Sequence, residues 1–212
     1  MTITDSNVPS GASSDAIGAG DPIARFATLL EAAEAVDRAL LPEPTAMTLA
    51  TVGADGQPSA RIVLLKSVGA DGFVFYTNLR SRKGNELAHS PRAALCFHWQ
   101  PLEIQVRVEG SVSLVPDADA DAYFATRPRI SQLGAWASDQ SAPLAAYAEL
   151  EVRLRQAEER FAGLDVPRPS HWSGFRLEPQ AIEFWRNRPF RLHERERYER
   201  ELHGWRMTRL FP

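Results

Sequence analysis

The sequence predicts a mainly β protein with helices, built as one antiparallel barrel that has helices packed around it. About seven or eight apolar runs have the length and the β-branched or aromatic content of strands. Several of these runs are joined by short Asp-Gly turns, which are typical of antiparallel hairpins. Because strand-like runs occur at both ends of the ordered chain, a single barrel fits better than two separate domains.

The N-terminal part is predicted to contain an arm, a helix and three strands. Residues 1–21 are rich in Ser, Gly, Ala and Asp and are predicted to be disordered, whereas residues 22–212 are predicted to form one domain. The helix begins where Asp21 precedes Pro22, and apolar residues continue at helical spacing to Leu40. The runs "AMTLATV", "PSARIVLLKSV" and "GFVFYTN" then predict an antiparallel meander.

The remainder of the chain alternates between strand and helix signals. Residues 81–89 predict a short helix with Ser81 at its N-cap, followed by strands over "RAALCFHW" and "LEIQVRVEGSVSLV". In the second strand polar and apolar residues alternate, which indicates one buried face and one face for water or ligand. Helices are predicted over "DADADAYFATRP", ended by Pro128, and over "APLAAYAELEVRLRQAEERFAG", closed by Gly163. The last predicted strands are "WSGFRLEP", "AIEFWRN", "FRLHERERYER" and "GWRMTRLF".

Composition and charge exclude several classes of function. The chain has 212 residues, 44% of them hydrophobic, and a net charge of -3, so no overall field draws it to nucleic acid or to an anionic membrane. Cys96 is the only cysteine, which excludes a disulfide framework and a cysteine-based zinc site. No apolar run has the length of a membrane span, and the N-terminus lacks the features of a signal peptide. A cytoplasmic location is therefore predicted.

Common catalytic and metal-binding motifs are absent from the sequence. The five histidines, at positions 89, 98, 171, 193 and 203, form no compact ligand pair, so no metal site is predicted. The sequence also contains no GxSxG elbow, no P-loop and no GxGxxG fingerprint. Hydrolase, NTPase and Rossmann-type functions therefore have no support in the sequence.

A basic cluster between residues 61 and 83 is the first candidate binding site. This stretch contains five cations and only one acidic residue, Asp71. Cations beside an apolar strand need exposure or an anionic partner, and the start of the 81–89 helix adds backbone N–H groups for an anion. A phosphate site and a solvated surface turn explain the cluster equally well. Its cations are Arg61, Lys66, Arg80, Arg82 and Lys83.

Two further stretches could contribute to a site. Arg191 and His193 in "RLHER" are at strand spacing, which predicts that both point to one face, and Leu192 and Trp185 predict partial burial nearby. The stretch "YFATRPRISQLGAWAS" could form a second phosphate clamp, or a helix end followed by a loop with core aromatics. Its candidate residues are Tyr123, Arg127, Arg129, Ser131 and Trp136.

Five blocks, in the same order, resemble the pyridoxine/pyridoxamine 5'-phosphate oxidase family. They are "RIVLLK", "FYTNLRSRKGNEL", "YFATRPRISQLGAWASDQS", "IEFW" and the C-terminal "RLHERERYER" with "GWRMTRLFP". The resemblance extends from about residue 22 to the C-terminus. It implies a split β-barrel that forms a homodimer, with FMN held at the subunit interface.

The resemblance also implies roles for individual residues. Arg82 and Lys83 are expected to bind the FMN phosphate, with help from Arg61 and Ser81, and the catalytic pair Arg191 and His193 is expected over the pyridine ring. The substrate phosphate is expected at Lys66, Tyr123, Arg127 and Ser131. Further implied cofactor-binding residues, some from the partner subunit, are Ile62, Val63, Leu64, Leu65, Lys66, Tyr76, Thr77, Gln105, Gln140, Ser141, Trp185 and Arg195.

The reaction implied by the resemblance is oxidation at the C4' carbon of pyridoxamine 5'-phosphate or pyridoxine 5'-phosphate, the last step of vitamin B6 cofactor synthesis. A hydride passes to N5 of FMN, and dioxygen reoxidises the flavin to give hydrogen peroxide. The product is pyridoxal 5'-phosphate, with ammonia released from the amine. The flavin carries the redox chemistry, which accounts for the missing catalytic triad.

The sequence departs from the family pattern at two positions, and two other functions stay open. Ile104 replaces the first arginine of the usual "RQVR", and Glu194 stands where aspartate is common. One alternative is a flavin oxidase of the same fold that acts in phenazine biosynthesis. The other is a non-catalytic protein that binds FMN or pyridoxal phosphate.

Overall fold

A curled, nine-stranded antiparallel sheet forms the centre of the computed structural model, which describes residues 20–212. The sheet order is β2-β1-β5-β6-β7-β4-β3, with β8 paired to β7 and β9 to β8. The predicted fold class is thereby confirmed. Strands from both ends of the described chain join this one sheet, and a single domain over residues 22–212 stays a prediction. The strands are β1 (Ala46–Val52), β2 (Pro58–Leu64), β3 (Ser67–Gly69), β4 (Gly72–Asn78), β5 (Arg92–Trp99), β6 (Ile104–Leu114), β7 (Trp172–Arg186), β8 (Glu194–Glu201) and β9 (Gly204–Arg209).

Five helices pack around this sheet. The first begins as predicted, because the Asp21 side chain accepts a hydrogen bond from the Ile23 backbone N–H at 2.9 Å. It ends at Glu34 and not near Leu40, because the Asp37 side chain caps a separate turn that contains Leu40. The predicted disordered arm lies outside the described residues, except for Gly20 and Asp21. The helices are α1 (Pro22–Glu34), α2 (Arg82–His89), α3 (Asp117–Thr126), α4 (Arg129–Ala137) and α5 (Tyr147–Arg160).

The predicted three-stranded meander is wrong, because the run over residues 58–68 breaks into two strands. Leu65 turns into the core with only 3% of its surface exposed, and the Lys66 N–H donates to the carbonyl oxygen of Val74. Consequently β2 pairs with β1, whereas β3 pairs with β4 at the other end of the sheet order. The curl of the sheet brings β2 and β4 to the same cleft.

The long strands β6 and β7 form the most extensive ladder of the sheet. The alternation predicted for β6 is confirmed, and Ile104 lies on its buried face with 6% exposure. The two strands predicted on either side of Gln180 are one continuous strand, β7. Gly110 pairs with Pro179 and Glu109 with Ala181, so a bulge at Gln180 absorbs the irregularity that the proline introduces.

The helices α3, α4 and α5 form a second packed layer beside the sheet. Phe124, Phe161 and Trp172 lie at its centre. The loop considered after Pro128 is instead α4, which begins immediately after that proline, and α5 begins at Tyr147, later than the sequence predicted. This layer matters for function because α3 and α4 form one wall of the cleft.

Neither a helix able to span a membrane nor a cluster of potential metal ligands occurs in the part of the chain that the structure describes. No helix within residues 20–212 is long and apolar enough to cross a membrane. The same residues contain no group of three or more His, Cys, Asp or Glu side chains that could hold a metal ion.

Candidate active site

A cleft of about 740 Å³ lies between β2, β4 and the helices α2, α3 and α4. Its wall contains residues from the two phosphate-binding stretches predicted independently from the sequence. Their convergence on one cleft favours a ligand site over a solvated surface turn. The predicted site residues that line it are Arg61, Ile62, Val63, Leu64, Lys66, Tyr76, Thr77, Lys83, Tyr123, Arg127, Ser131 and Gln140.

The N-terminus of α2 is built tightly against the turn that precedes it. Ser81 is fully buried; its Oγ accepts a hydrogen bond from the Gly84 N–H and donates one to the Asn78 carbonyl oxygen at 2.6 Å. A Cβ at position 84 would overlap the carbonyl oxygen of Leu79, so glycine permits this close approach. The predicted N-cap is confirmed, and the remaining N–H groups of the first turn add a positive dipole end.

Lys83 is a buried cation that has only neutral partners. Its side chain is 9% exposed, and its Nζ donates to Gln140 Oε1 at 2.8 Å, Thr77 Oγ1 at 3.1 Å and Ser81 Oγ at 3.3 Å. Burial lowers the pKa of Lys83, the charge of Arg61 lowers it further, and Glu86 opposes the shift. A buried charge requires compensation, so an anion bound in the cleft would find a favourable partner here.

A buried carboxylate joins the two arginines near Lys83. Glu86 is 7% exposed and accepts hydrogen bonds from Arg61 Nη2 at 3.0 Å and Arg82 Nε at 2.8 Å. It also accepts from Thr51 Oγ1 and Ser59 Oγ at 2.5 and 2.6 Å. Burial on its own would raise the pKa of Glu86, but these four hydrogen bonds lower it to about 2. The carboxylate is therefore ionised at physiological pH.

The opposite wall of the cleft presents a half-buried cation, Arg127, that lies against aromatic rings. The guanidinium of Arg127 lies 4.6 Å from the centre of the Trp172 ring, and burial lowers its pKa. Its Nη1 is buried and has no hydrogen-bond partner in the described residues. Tyr76 and Tyr123 stack at 4.0 Å beside Trp172. An unpaired buried N–H group is costly, so this arrangement is suited to an anionic ligand in the cleft.

A second group of predicted residues lies together elsewhere on the sheet. Gln105 of β6 is the cross-strand partner of Trp185, and Trp185 is the partner of Arg195 on β8. The ring of His193 lies 4.6 Å from that of Trp185. We call these residues, with Arg191, the outer group. None of them lines the cleft of its own chain.

The strand spacing predicted for Arg191 and His193 is wrong. Arg191 ends a 3-10 turn, Pro189–Arg191, and β8 begins only at Glu194. Phe190 and Arg191 have φ angles of 60° and 62°, which break the extended backbone. Leu192, from which partial burial was inferred, is 67% exposed. The turn therefore presents Arg191 to the outside of the chain.

Four other predicted residues do not line the cleft. Leu65 lies in the core, Ser81 is buried beneath Lys83, and Arg82 is largely exposed at the start of α2. Ser141 has a φ of 72° and lines a neighbouring depression together with Gln140. Sequence reasoning also missed Glu86 and the cleft residues Asn78, Thr126, Pro128, Gly134, Ala135, Ser138 and Trp172. Only the i, i+4 spacing of Arg82 and Glu86 offered a signal.

Comparison with known protein families decides the classification. Residues 33–161 match the family described as "Pyridoxamine 5'-phosphate oxidase". The chain belongs to the pyridoxamine 5'-phosphate oxidase family. Residues 172–212, which include most of the outer group, match "Pyridoxine 5'-phosphate oxidase C-terminal dimerisation region". The family resemblance predicted from the sequence is thereby confirmed.

Individual members of the pyridoxamine 5'-phosphate oxidase family cover nearly the whole chain. A protein of Myxococcus xanthus strain DK1622, named pyridoxine/pyridoxamine 5'-phosphate oxidase, is 59% identical over 192 residues, which are 91% of this chain and 92% of the relative. A Rhodospirillum rubrum protein with the same name is 56% identical over 197 residues, covering 91% of this chain and 96% of the relative.

Solved structures confirm the split-barrel fold of the pyridoxamine 5'-phosphate oxidase family. PhzG from Burkholderia lata, in complex with tetrahydrophenazine-1-carboxylic acid, has a TM-score of 0.83 at 29% identity, covering 95% of this chain and all of that chain. A pyridoxamine 5'-phosphate oxidase-related, FMN-binding protein from Nostoc punctiforme has a TM-score of 0.68 at 17% identity, covering 89% and 96%. The second likeness concerns the fold alone.

Proposed function

We propose that this protein is an FMN-dependent oxidase that converts pyridoxamine 5'-phosphate and pyridoxine 5'-phosphate to pyridoxal 5'-phosphate, with dioxygen as the electron acceptor. One observation carries the proposal. Lys83, which is buried, and Arg127, which is half-buried with a buried Nη1, come from different elements and line one cleft, and neither forms a salt bridge within the described residues. A phosphorylated cofactor and a phosphorylated substrate would occupy these two positions. The names of the relatives agree with this assignment.

The residues around Lys83 fit the phosphate of FMN. Lys83 supplies a desolvated positive charge, Arg61 adds a second, and the start of α2 supplies N–H groups. The segment from Ile62 to Lys66 and the side chains of Tyr76, Thr77 and Gln140 would hold the rest of the cofactor. FMN, when bound, supplies the acceptor for a hydride and the reaction with dioxygen.

The chain's own residues would bind and orient the substrate. Arg127 offers its unpaired Nη1, and Lys66, Tyr123 and Ser131 line the same cleft, so these groups would hold the substrate phosphate. The stacked rings of Tyr76 and Tyr123 would exclude water beside it. Binding energy from the phosphate would in this way position the reacting carbon.

The proposed catalytic pair must come from a second copy of the chain. Arg191 and His193 belong to the outer group, which does not line the cleft of its own chain. They fall within the part that matches the dimerisation region, residues 172–212. A homodimer that places the outer group of one copy over the cleft of the other would complete two sites.

The location of the protein in the cytoplasm stays a prediction.

A phenazine-type oxidase is the second candidate, because PhzG is the more similar of the two solved structures. The two candidates differ in what the substrate carries. Tetrahydrophenazine-1-carboxylic acid has no phosphate, whereas this cleft retains Lys66, Tyr123, Arg127 and Ser131 around an unpaired cation. A phosphorylated substrate therefore accounts for the cleft better. A non-catalytic binding protein would not need the catalytic pair Arg191 and His193, whereas this chain has both.

A comparison of substrates with an Arg127→Met variant tests the proposal. We expect FMN-loaded protein to oxidise pyridoxine 5'-phosphate far more efficiently than pyridoxine or tetrahydrophenazine-1-carboxylic acid. Arg127→Met should raise KM for the phosphorylated substrate at least about tenfold and change kcat little, because it removes binding common to ground and transition states. Arg155→Met, an exposed arginine on α5, is the control of equal charge change. Preference for the unphosphorylated tricyclic substrate would overturn the proposal.

A further inference from the structure

We propose that Glu86 is a positioning residue that fixes Arg61, in the cleft wall, relative to Arg82, at the exposed start of α2, so that both arginines can bind the cofactor phosphate. This inference rests on the proposed function, because it concerns the same FMN phosphate. Arg61 comes from β2 and Arg82 from α2, so no single element sets their relative position. Glu86 is the one carboxylate that contacts both within the described residues. In this role Glu86 orients the guanidinium groups of Arg61 and Arg82 and does not contact the phosphate itself.

The hydrogen bonds of Glu86 hold each arginine by a different edge. Arg82 donates through Nε, so both of its Nη groups remain free of partners within residues 20–212. Arg61 donates through its Nη groups to Glu86, Ser59, Thr51 and the Leu49 carbonyl oxygen, and its Nε has no partner in that part of the chain. Each guanidinium therefore keeps donors in reserve for an anion.

Burial makes the position of the carboxylate well defined. Glu86 is 7% exposed, and four donors surround its two oxygens. Three of these donors meet Oε2 and one, Arg82 Nε, meets Oε1, so both oxygens of the carboxylate are engaged. The network would resist movement, because a shift of Glu86 would leave several buried polar groups without partners. Arg61 and Arg82 are held by a fixed anchor and not by a mobile surface pair.

Charge balance also matches an FMN phosphate. Arg61, Arg82 and Lys83 carry three positive charges and Glu86 one negative charge, so two positive charges remain. A phosphate monoester carries about -1.5 to -2 at pH 7. The carboxylate thus lowers the mutual repulsion of three cations in the free protein. It leaves enough positive charge to neutralise the ligand.

The Glu86→Gln variant distinguishes the positioning of the arginines from the net charge of the site. Its amide has one acceptor oxygen and one donor NH₂ group, so either Arg82 or the side occupied by Arg61, Thr51 and Ser59 would face a donor. One guanidinium would be released. The variant gains net positive charge, which alone would strengthen phosphate binding. A weaker binding of FMN relative to riboflavin would therefore report lost positioning of the arginines.

The test compares FMN with riboflavin, which lacks the phosphate. Apo protein is titrated with each flavin, and the quenching of flavin fluorescence gives the two Kd values. We expect Glu86→Gln to reduce the ratio of riboflavin Kd to FMN Kd at least about tenfold, with riboflavin Kd changed less than about twofold. Glu158→Gln, an exposed residue on α5, is the charge-matched control and should leave both values unchanged.

Other results would overturn the proposal. An unchanged or larger ratio in Glu86→Gln would show that Glu86 does not aim the arginines, and equal weakening of both flavins would show a purely structural role. Ser59→Ala is a milder variant that removes one donor to Glu86 and one acceptor for Arg61, and it should lower the ratio in the same direction. If wild-type protein bound FMN no more tightly than riboflavin, the proposed function itself would fail.

Discussion

Lys83 and Arg127 show how single residues acquire chemistry from their surroundings. The sequence identified both as cations in stretches that could bind phosphate. It could not show that Lys83 is buried and Arg127 half-buried, or that neither has a carboxylate partner in the described residues, because neighbours such as Gln140 and Trp172 are distant in the sequence. Gln140, for example, lies 57 positions from Lys83 in the sequence, and its Oε1 accepts a hydrogen bond from Lys83 Nζ at 2.8 Å. Burial without a counter-charge is what distinguishes a binding cation from a solvated one.

FMN binding should depend on pH through Lys83. Burial holds the pKa of this ammonium below its ordinary value of 10.5, so the folded apo protein loses the proton at a lower pH than the unfolded chain. At alkaline pH below 10.5, the unfolded chain therefore binds more protons at Lys83 than the folded protein does. The contribution of Lys83 to the free energy of unfolding rises with pH over this range. The same loss of charge should weaken FMN binding relative to riboflavin.

Titrations of both flavins from neutral pH to about pH 10 would measure this effect, since a lysine in water is still charged over most of that range. The preference for FMN should fall as the pH rises. In Lys83→Met the preference should be small and nearly flat over the same range, and Arg155→Met should behave as wild type. A wild-type preference that stayed constant to the end of the range would contradict the assigned role of Lys83.

At the scale of elements, local sequence signals predicted the bounds of strands and helices correctly where those bounds do not depend on pairing between distant segments. The bounds of β1, β4 and β5 agree with the runs predicted from the sequence, because each run is flanked by turn residues. Ser81 likewise fixed the start of α2. The break at Leu65 and Lys66 carried no turn residue, and only the pairing of β3 with β4 reveals it. Pro179 had the opposite effect: it led to a prediction of two strands, whereas a bulge beside it allows β7 to continue as one strand.

The candidate site was predictable only in part for the same reason. Its individual residues came from family resemblance, and the structure brings twelve of them to one cleft. The outer group could not be placed from patterns within one chain, because its proposed site lies on a second copy. The left-handed φ angles of Phe190 and Arg191 carry no glycine signal, so strand spacing was assumed where a turn occurs.

Gly110→Ala should destabilise the protein by disrupting the ladder between β6 and β7. A Cβ at this position would overlap the carbonyl oxygen of Glu178, which is backbone and cannot rotate away. Relief of such an overlap requires the strands to separate, at a cost of about 1–3 kcal/mol. Chemical denaturation of apo and FMN-loaded protein would measure the change.

Gly69→Ala provides the matched comparison, because a Cβ there meets nothing within 4 Å. Its free energy of unfolding should stay close to that of wild type. Equal stability of Gly110→Ala and Gly69→Ala would contradict the close approach of the two strands.

At the scale of the whole molecule, the exposed apolar surface of the C-terminal region predicts a partner. Phe190, Leu192, Leu202 and Phe211 are 67–95% exposed in the single chain. Exposed apolar residues concentrated in one region mark interaction surfaces. This region also matches the dimerisation region of the family, and the proposed catalytic pair lies within it.

Sedimentation measurements should therefore detect a species of twice the chain mass of 23.5 kDa. Leu192→Asp should shift the protein toward monomer and reduce activity together, because burial of an unpaired charge opposes association. Tyr147→Asp makes a similar change at an 85% exposed aromatic outside the dimerisation region, residues 172–212, and should leave the dimer intact. A monomeric wild-type protein with full activity would rule out a site shared between two copies.

The most direct test of the central claim is turnover of a phosphorylated B6 vitamer by FMN-loaded protein. Pyridoxine 5'-phosphate is added in air, and pyridoxal 5'-phosphate and hydrogen peroxide are measured in the same sample. We expect both to accumulate in equal amounts, with loss of the yellow flavin colour when oxygen is excluded. A yellow, FMN-bound protein that forms neither product, from pyridoxine 5'-phosphate or from pyridoxamine 5'-phosphate, would contradict the account.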